Sequence, residues 1–227
     1  MNNLEISVLD KGYVQLIEHM GSDLSVVNAA RCSFDKQRDF LLEDDIRLIH
    51  YLAREKHMLP FRHPTISLRV HMPIFVARQL GKHQIGFSMS EVSRRYVTGD
   101  PEFYEPEVWR KRPEASIKQG SGEDFSMGQQ IDLVTKAFIS HHRSLSIYKD
   151  LLSMGTAPEM ARMILPQSMY TTVYWTGSLL GWNHLYKQRT DSHAQKETQE
   201  YGRAIGTIME ELFPVSWEAL NEVYNVR

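Results

Sequence analysis

The stretch that determines the fold class runs from residue 65 to residue 82 and reads TISLRVHMPIFVARQLGK. Apolar and polar side chains alternate over Thr65–His71, which predicts a β-strand with one wet face. Pro73 follows at a position where the first turn of a helix tolerates proline, and the next residues predict a helix over Ile74–Lys82. A strand therefore leads directly into a helix here.

The residues before this stretch predict a hairpin followed by two helices. Leu4–Leu9 and Tyr13–Glu18 are strand-like runs on either side of Asp-Lys-Gly, a typical turn sequence. A Ser-Asp pair that can cap a helix precedes Leu24–Cys32, and Glu43–Lys56 carries apolar residues close to the helical period. The N-terminal part therefore mixes strands and helices.

The C-terminal half is predicted to be mostly helical. The helical segments are Ser126–Ser153, Ala157–Leu165, Leu179–Lys187 and Ser192–Leu212. One strand-like run, Tyr170–Trp175, lies among them, and the last helix should stop before Pro214. The fold class is therefore α+β: an antiparallel sheet flanked by helices, with a helical C-terminal half.

Composition describes an ordinary globular chain. The 227 residues include 26 Lys and Arg against 28 Asp and Glu, for a net charge of −2. A protein that binds nucleic acid through bulk charge is normally basic, so no nucleic-acid partner is expected. No run of 18 apolar residues occurs and the first ten residues do not resemble a signal peptide, so we expect a cytoplasmic protein without a membrane partner. We expect one domain, residues 1–227, with an irregular loop around residues 106–124.

The cysteine and histidine content limits the available chemistry. One thiol, Cys32, cannot form an internal disulfide or a Cys-rich zinc site, and its setting in AARCSF predicts a packed core residue. The ten histidines show no metal-ligand spacing, and no Gly-x-Ser-x-Gly nucleophile motif occurs. Neither a metal nor a serine-hydrolase triad is therefore expected.

The segment that carries chemistry spans residues 78–96 and reads RQLGKHQIGFSMSEVSRRY. It predicts a cationic, hydroxyl-rich loop after a helix, in a chain that is otherwise close to neutral. Backbone N–H groups, hydroxyls and guanidinium groups together suit a phosphate group. Charge runs are usually solvated faces, however, and composition alone somewhat favours a surface loop.

A second polar cluster spans residues 186–199 and reads YKQRTDSHAQKETQ. Asp191 or Ser192 can cap the following helix, with Glu197 within its first two turns, where acids suit the helix dipole. Arg189 is then predicted to lie just before the cap, outside the helix. It can project into a cleft or pair with a nearby carboxylate, and the ion pair is the more common arrangement.

Residues 82–96 carry a recognisable pattern, and the sequence resembles the flavin-dependent thymidylate synthases. The signature of that family is Arg-His-Arg, seven or eight residues, Ser, and a closing Arg-Tyr. Here Lys82-His83-Gln84, eight residues, Ser93, Arg94 and Arg95-Tyr96 occupy these places. Lys82 and Gln84 replace the two motif arginines and Ser90 replaces the usual asparagine, while the motif glutamate is kept as Glu91.

The resemblance extends over nearly the whole chain. Five further segments look like those of the family and occur in the same order: VLDKGYVQLIEHMGSDLSVVNAARCSF from residue 8, PIFVARQ from 73, PEFY from 101, MARMILP from 160 and RTDSHAQ from 189. The resemblance therefore implies a flavin-dependent thymidylate synthase-like fold for the chain as a whole.

The resemblance also implies an activity. It implies reductive methylation of dUMP to dTMP, with 5,10-methylenetetrahydrofolate as the carbon donor and NADPH as the reductant, through bound FAD and without a metal. It further implies a homotetramer with shared active sites. The alternative is a nucleotide-binding protein that keeps a phosphate loop but has lost flavin chemistry. That alternative is favoured by Gln84 and Leu180, which both replace family arginines. His184 likewise replaces a family asparagine.

Site residues follow from matching positions. The resemblance implies a catalytic role on the pyrimidine for Arg189. The implied dUMP-binding residues are Gln79, Leu80, Gly81, Lys82, Glu91, Val92, Ser93, Arg94, Arg95, Arg162 and Arg189. The implied flavin-binding residues are Ser33, His57, Lys82, His83, Gln84, Glu91, Ser178, Leu179, Leu180 and His184.

Overall fold

The computed structural model describes residues 4–113 and 120–223, and these form a five-stranded antiparallel sheet with helices packed around it. The strands are β1 (Glu5–Val8), β2 (Gly12–Met20), β3 (Thr65–Pro73), β4 (Phe87–Glu91) and β5 (Tyr170–Ser178). Their order across the sheet is β1-β2-β3-β5-β4. The predicted α+β class with an antiparallel sheet is confirmed.

The helices precede, separate and follow these strands. They are α1 (Asp23–Arg31), α2 (Glu43–Arg54), α3 (Ile74–Leu80), α4 (Met127–Ser153), α5 (Pro158–Ala161), α6 (Leu179–Thr190), α7 (Lys196–Leu212) and α8 (Pro214–Glu222). Single 3₁₀ turns cover Cys32–Phe34, Pro60–Arg62 and Arg162–Ile164. Within the described ranges, no helix is long and apolar enough to cross a membrane.

The central strand β3 anchors the hydrophobic core. Ile66, Leu68 and Val70 are fully buried on one face, as their alternation predicts. The wet face that the sequence predicted is only partly wet, because Ser67 is also buried and its hydroxyl bonds that of Thr176 at 2.9 Å. Neighbouring strands on both sides and helices on the core face therefore cover most of β3.

The phosphate-type loop predicted for residues 78–96 contains a strand. Its residues FSMSE form β4, which pairs with β5 from Phe87↔Gly177 to Glu91↔Val173. A Cβ at Gly177 would lie 2.2 Å from the Phe87 ring, so only glycine lets this ring lie against β5. The ring packs on Trp182 at 4.8 Å between centroids and fixes where the strand begins.

Two predictions around Arg189 are wrong. Helix α6 continues to Thr190, so Arg189 lies in its last turn and not outside a helix. Helix α7 begins at Lys196, because Asp191 accepts the His193 N–H at 2.8 Å and forms a turn where the sequence predicted a helix cap.

The prediction of a packed core thiol at Cys32 is also wrong. Helix α1 ends at Arg31, one residue earlier than predicted, and Cys32 begins a 3₁₀ turn. The apolar run that suggested a buried helix face therefore turns away from the core, and the thiol is exposed.

Helix α8 was not predicted, and its first turn is capped from the far end of the chain. Pro214 ends α7 but occupies the first turn of the next helix. The buried carboxylate of Asp23 accepts the N–H groups of Val215 at 3.1 Å and Ser216 at 2.8 Å. These bonds connect α1 to the C-terminal helix across 193 residues.

We expect Asp23→Ala to destabilise the fold, because it leaves two N–H groups at the start of α8 without their acceptor. Losing such a cap costs about 1–2 kcal/mol. Asp44→Ala is the matched control, since this exposed carboxylate only pairs with Arg47 on the surface of α2. Urea unfolding should show the loss for Asp23→Ala alone, and equal midpoints for the two variants would contradict the capping role.

Candidate active site

The predicted nucleotide-binding residues lie on two sides of α3. Cavity A, about 600 Å³, lies against Arg78, Gly81 and Lys82 at the C-terminal end of this helix. Cavity B, about 1270 Å³, includes Gln79 from the same helix and Arg189 from α6. One protomer therefore presents the expected site as two separate groups of residues.

Cavity A is strongly cationic. Besides Arg78 and Lys82 it is lined by Arg94 and Arg162, and among the described residues Glu91 is the one carboxylate that lines it. The Glu91 carboxylate accepts the Thr171 hydroxyl at 2.8 Å, which holds it at the cavity wall. Four cations around one acid make the cavity suited to a phosphate or another anion.

Two of the arginines that line cavity A donate to carbonyl oxygens. Arg94 donates to the carbonyl oxygens of Val97 and Gly99. Arg162 donates to the Glu159 carbonyl at 3.4 Å. Carbonyl oxygens do not neutralise a guanidinium charge, so both arginines keep their charge available to a ligand.

Ser93 and Arg95 lie one and three residues after Val92, which lines cavity A. The Ser93 hydroxyl accepts both the backbone N–H and the Nε–H of Arg95, each at 3.3 Å. The Arg95 guanidinium lies over the ring of Tyr96, 5.1 Å from its centroid. Arg95 is exposed and does not line cavity A, so the structure brings it near the other cations but not among them.

In cavity B, Arg189 is held along one edge by two acceptors. Its Nε donates to Nε2 of His83 at 3.0 Å, and one terminal nitrogen donates to the Gln79 carbonyl oxygen at 2.9 Å. The Gln79 side chain is itself fixed by Gln195 at 2.7 Å and Thr198 at 3.1 Å. Arg189 is therefore a positioned cation with N–H groups left for a ligand.

Burial sets the protonation state of this pair. Partial burial, with added repulsion from Arg189 and His184, lowers the pKa of His83 to about 4. His83 is therefore neutral at physiological pH, and one of its ring nitrogens can accept a hydrogen bond. Burial also lowers the pKa of Arg189, but its guanidinium stays charged because its intrinsic pKa is so high.

The buried ion pair of Arg110 and Glu197 fixes residues that line cavity B. Glu197, whose side chain is 5% exposed, accepts from Arg110 at 2.6 Å and from the Gln195 amide at 2.8 Å. Burial would raise the pKa of Glu197, but these hydrogen bonds outweigh it and the pKa lies below its usual value. Through Gln195, this carboxylate orients the Gln79 side chain.

Sequence reasoning missed the Arg110–Glu197 pair. The two residues are 87 positions apart, and Glu197 was interpreted only as an acid that suits a helix dipole. The cluster of three basic residues beginning at Arg110 was the one available signal, since buried carboxylates need a cationic partner.

The predicted flavin-binding residues do not converge within one protomer. Ser33 and His57 line cavity C, about 830 Å³, between α1, α2 and the turn that follows. Ser178 caps α6 by accepting the Gly181 N–H at 3.2 Å. The side chains of Lys82, Gln84 and His184 are exposed.

Three predicted ligand contacts fall on core residues. Leu80, Leu179 and Leu180 are buried in the hydrophobic core, with at most 4% of each residue exposed. Their side chains are therefore occupied by packing, and only their backbone atoms are left to meet a ligand. In the described part of the chain, no group of three or more His, Cys, Asp or Glu residues could hold a metal ion.

Comparison with known proteins identifies relatives along nearly the whole chain. The family described as "Thymidylate synthase complementing protein" matches residues 15–215. A flavin-dependent thymidylate synthase of Thermus thermophilus is 40% identical over 96% of this chain and 79% of its own length. That of Kosmotoga olearia is 40% identical over 97% of this chain and 95% of its own length.

A solved structure matches the fold as well. The UMP/dUMP methylase PolB from Streptomyces cacaoi, bound with 5-Br dUMP, has 30% sequence identity and a TM-score of 0.83. The match covers 96% of this chain and 97% of that one. The chain is therefore similar to an enzyme crystallised with a pyrimidine nucleotide, and the predicted fold is confirmed.

We expect Glu197→Gln to lower the free energy of unfolding at pH 7 by about 1.5–3 kcal/mol, the usual size of a charged hydrogen bond. Because the folded pKa of Glu197 lies below its ordinary value of 4.5, this contribution is present above that pH and is lost as the pH falls through the folded pKa. The gap between wild type and variant should therefore narrow in acid.

Urea unfolding at about pH 7 and at about pH 3.5 measures this gap. Glu200→Gln, an exposed change on the same helix, is the control and should leave both values unchanged. A gap that is equal at the two pH values would show that the lost contact is not ionic.

Proposed function

The chain belongs to the flavin-dependent thymidylate synthase family, and on that basis we propose that it methylates dUMP to dTMP in the cytoplasm. The carbon donor is 5,10-methylenetetrahydrofolate and the reductant is NADPH, acting through bound FAD. The observation that supports this best is Arg189, a charged guanidinium fixed by His83 and Gln79 at the wall of cavity B.

We place the phosphate of dUMP among the cations of cavity A. Arg94 and Arg162 provide guanidinium groups, and Lys82 provides an ammonium group. Bidentate guanidinium contacts suit phosphate oxygens, and Ser93 next to the cavity adds a hydroxyl donor. Glu91, held by Thr171, then accepts from a donor group of the nucleotide.

We place the pyrimidine against Arg189. A cation held in a partly buried site stabilises negative charge on the ring and makes the ring more electron-rich, which methylation at a ring carbon requires. Cys32 is exposed, and neither cavity A nor cavity B includes it. The proposed route therefore uses Arg189 and the cofactor, with no cysteine nucleophile.

The described residues fit a bound flavin dinucleotide. Exposed donor side chains of Lys82, Gln84 and His184 suit diphosphate and ring heteroatoms, and Ile85, 93% exposed, offers an apolar contact. Leu180, being buried, contributes through its backbone. When bound, the flavin supplies the hydride chemistry that side chains cannot perform.

We further propose a homotetramer in which each active site is shared between subunits and the whole chain acts as one catalytic domain. Cavities A and B each hold part of the expected dUMP site, and in this proposal cavity A of one chain and cavity B of another complete it together. The long helix α4 supports assembly, because it exposes Ile131, Phe138 and Ile139 to solvent.

The first experiment is an absorbance spectrum with added FAD, followed by conversion of dUMP with folate and NADPH. Yellow protein and dTMP formation are expected, with UMP tested alongside because PolB is described as acting on both nucleotides. A protein that binds dUMP but gains no flavin absorbance would instead support the nucleotide-binding alternative, which the loss of an arginine at Leu180 favours.

We expect Arg189→Ala to lower turnover about 10²–10³-fold, the usual cost of removing one charge-stabilising donor. Flavin absorbance should remain, because Arg189 acts on the pyrimidine. Arg203→Ala, an exposed change on α7, should keep normal turnover. Near-normal turnover of Arg189→Ala would refute the assignment.

Mixing variants tests the shared site. We expect Arg189→Ala and Arg162→Ala each to be inactive. Co-expressed hybrids should regain about a quarter of wild-type activity, because in that share of the sites one chain provides an intact Arg189 and the other an intact Arg162. Differently tagged chains, purified through both tags, provide the hybrid. Inactive hybrids of confirmed mixed composition would place both residues in a site made by one chain.

A further inference from the structure

The contact between His83 and Arg189 joins the two predicted ligand groups. The resemblance places His83 among the flavin-binding residues and Arg189 on the pyrimidine. In the structure, the Arg189 Nε lies 3.0 Å from the His83 Nε2, within hydrogen-bond distance. The two residues come from the loop after α3 and the last turn of α6, 106 positions apart.

Elementary chemistry fixes the direction of this bond. A guanidinium group only donates, so Nε2 of His83 must be the acceptor. The imidazole is then neutral and carries its proton on Nδ1. Among the residues that the structure describes, no side chain or carbonyl bonds this Nδ1, so its N–H is available to a ligand.

The electrostatic surroundings keep His83 in this form. The ionisable groups that lower its pKa are Arg189 and His184, both from α6, and no carboxylate of the described chain is among them. Partial burial acts in the same direction and lowers its pKa to about 4. An imidazolium, which cannot accept from Arg189, is therefore disfavoured at neutral pH.

The backbone holds the imidazole in place. The His83 N–H donates to the Leu80 carbonyl at 3.0 Å, and Leu80 is a fully buried core residue. The carbonyl oxygen of Gln79, one residue before Leu80, accepts at 2.9 Å from a terminal nitrogen on the same edge of the Arg189 guanidinium. Two points on one rigid turn thus define the plane of the guanidinium group.

We propose that neutral His83 is the positioning residue of Arg189: its Nε2 fixes the guanidinium orientation in which Arg189 meets the pyrimidine, while its Nδ1–H faces the cofactor side. The inference rests on the proposed function and deepens it. His83 then has two separable roles, one on each ring nitrogen, and a flavin contact alone explains only the second.

Three substitutions separate the two roles. In His83→Gln the amide reaches the position of Nε2 and keeps the acceptor for Arg189. In His83→Asn the shorter amide reaches only the position of Nδ1 and keeps the cofactor-side donor. His83→Leu removes both the acceptor and the donor with a side chain of similar size. Thermal unfolding checks that each variant folds.

The readouts are kcat and KM for dUMP with FAD in excess, and FAD affinity from flavin fluorescence. We expect His83→Gln to keep kcat within about threefold of wild type. His83→Asn and His83→Leu should lose about 10- to 100-fold, the usual range for a charged hydrogen bond. FAD affinity should follow a different order, with His83→Asn closest to wild type.

Two outcomes would overturn the proposal. One is wild-type kcat in folded His83→Leu, and the other is an equal loss in His83→Gln and His83→Leu at equal flavin content. If a variant does not retain FAD, calorimetry measures the affinity of its apoprotein for dUMP and compares it with that of wild-type apoprotein. The same order is expected as for kcat: His83→Gln close to wild type, and His83→Asn and His83→Leu weaker. A wild-type protein that neither binds dUMP nor forms dTMP would instead refute the proposed function itself.

Discussion

The pairing of β3 with β5 is the constraint on which the rest of the structure depends. The two strands are paired at nine positions, from Thr65↔Ser178 to Pro73↔Tyr170, a ladder about 27 Å long. Because the strands are antiparallel, the helices that follow them begin at opposite ends of this ladder. Helix α3 follows Pro73, and α6 follows Ser178.

The lengths of these two helices then decide where the site forms. At 1.5 Å per residue, α3 and α6 are about 10 and 18 Å long, which together match the ladder. The loop after α3 reaches the start of α6, since the Ser178 N–H donates to the Gly86 carbonyl at 3.3 Å. The C-terminal turns of both helices therefore meet, and the Arg189 guanidinium bonds one of the last carbonyl oxygens of α3, at Gln79.

Much of this could be predicted from local patterns, because period and turn residues report on backbone conformation. Strand β3 and helix α2 begin at the predicted residues, and α4 begins one residue later than predicted. Strand β4 could not be found this way: its residues are mostly exposed, and only pairing with β5 makes them a strand. The acceptors of Arg189 were equally hidden, because contacts across 106 and 110 positions leave no local signal. The resemblance supplied the candidate residues but not which of them touch one another.

The charge distribution connects fold to function. The chain as a whole has a net charge of −2, yet Arg78, Lys82, Arg94 and Arg162 line a cavity that has one carboxylate among its described lining residues. Two buried carboxylates elsewhere are paired with arginines, Glu197 with Arg110 and Asp45 with Arg31. Repulsion within the cavity lowers the stability of the free protein, and folding alone gives no reason to keep such a cluster. A bound anion supplies the missing negative charge, so the same cations that destabilise the empty cavity stabilise the occupied one. A phosphate-bearing substrate therefore explains most directly why these four cations line cavity A.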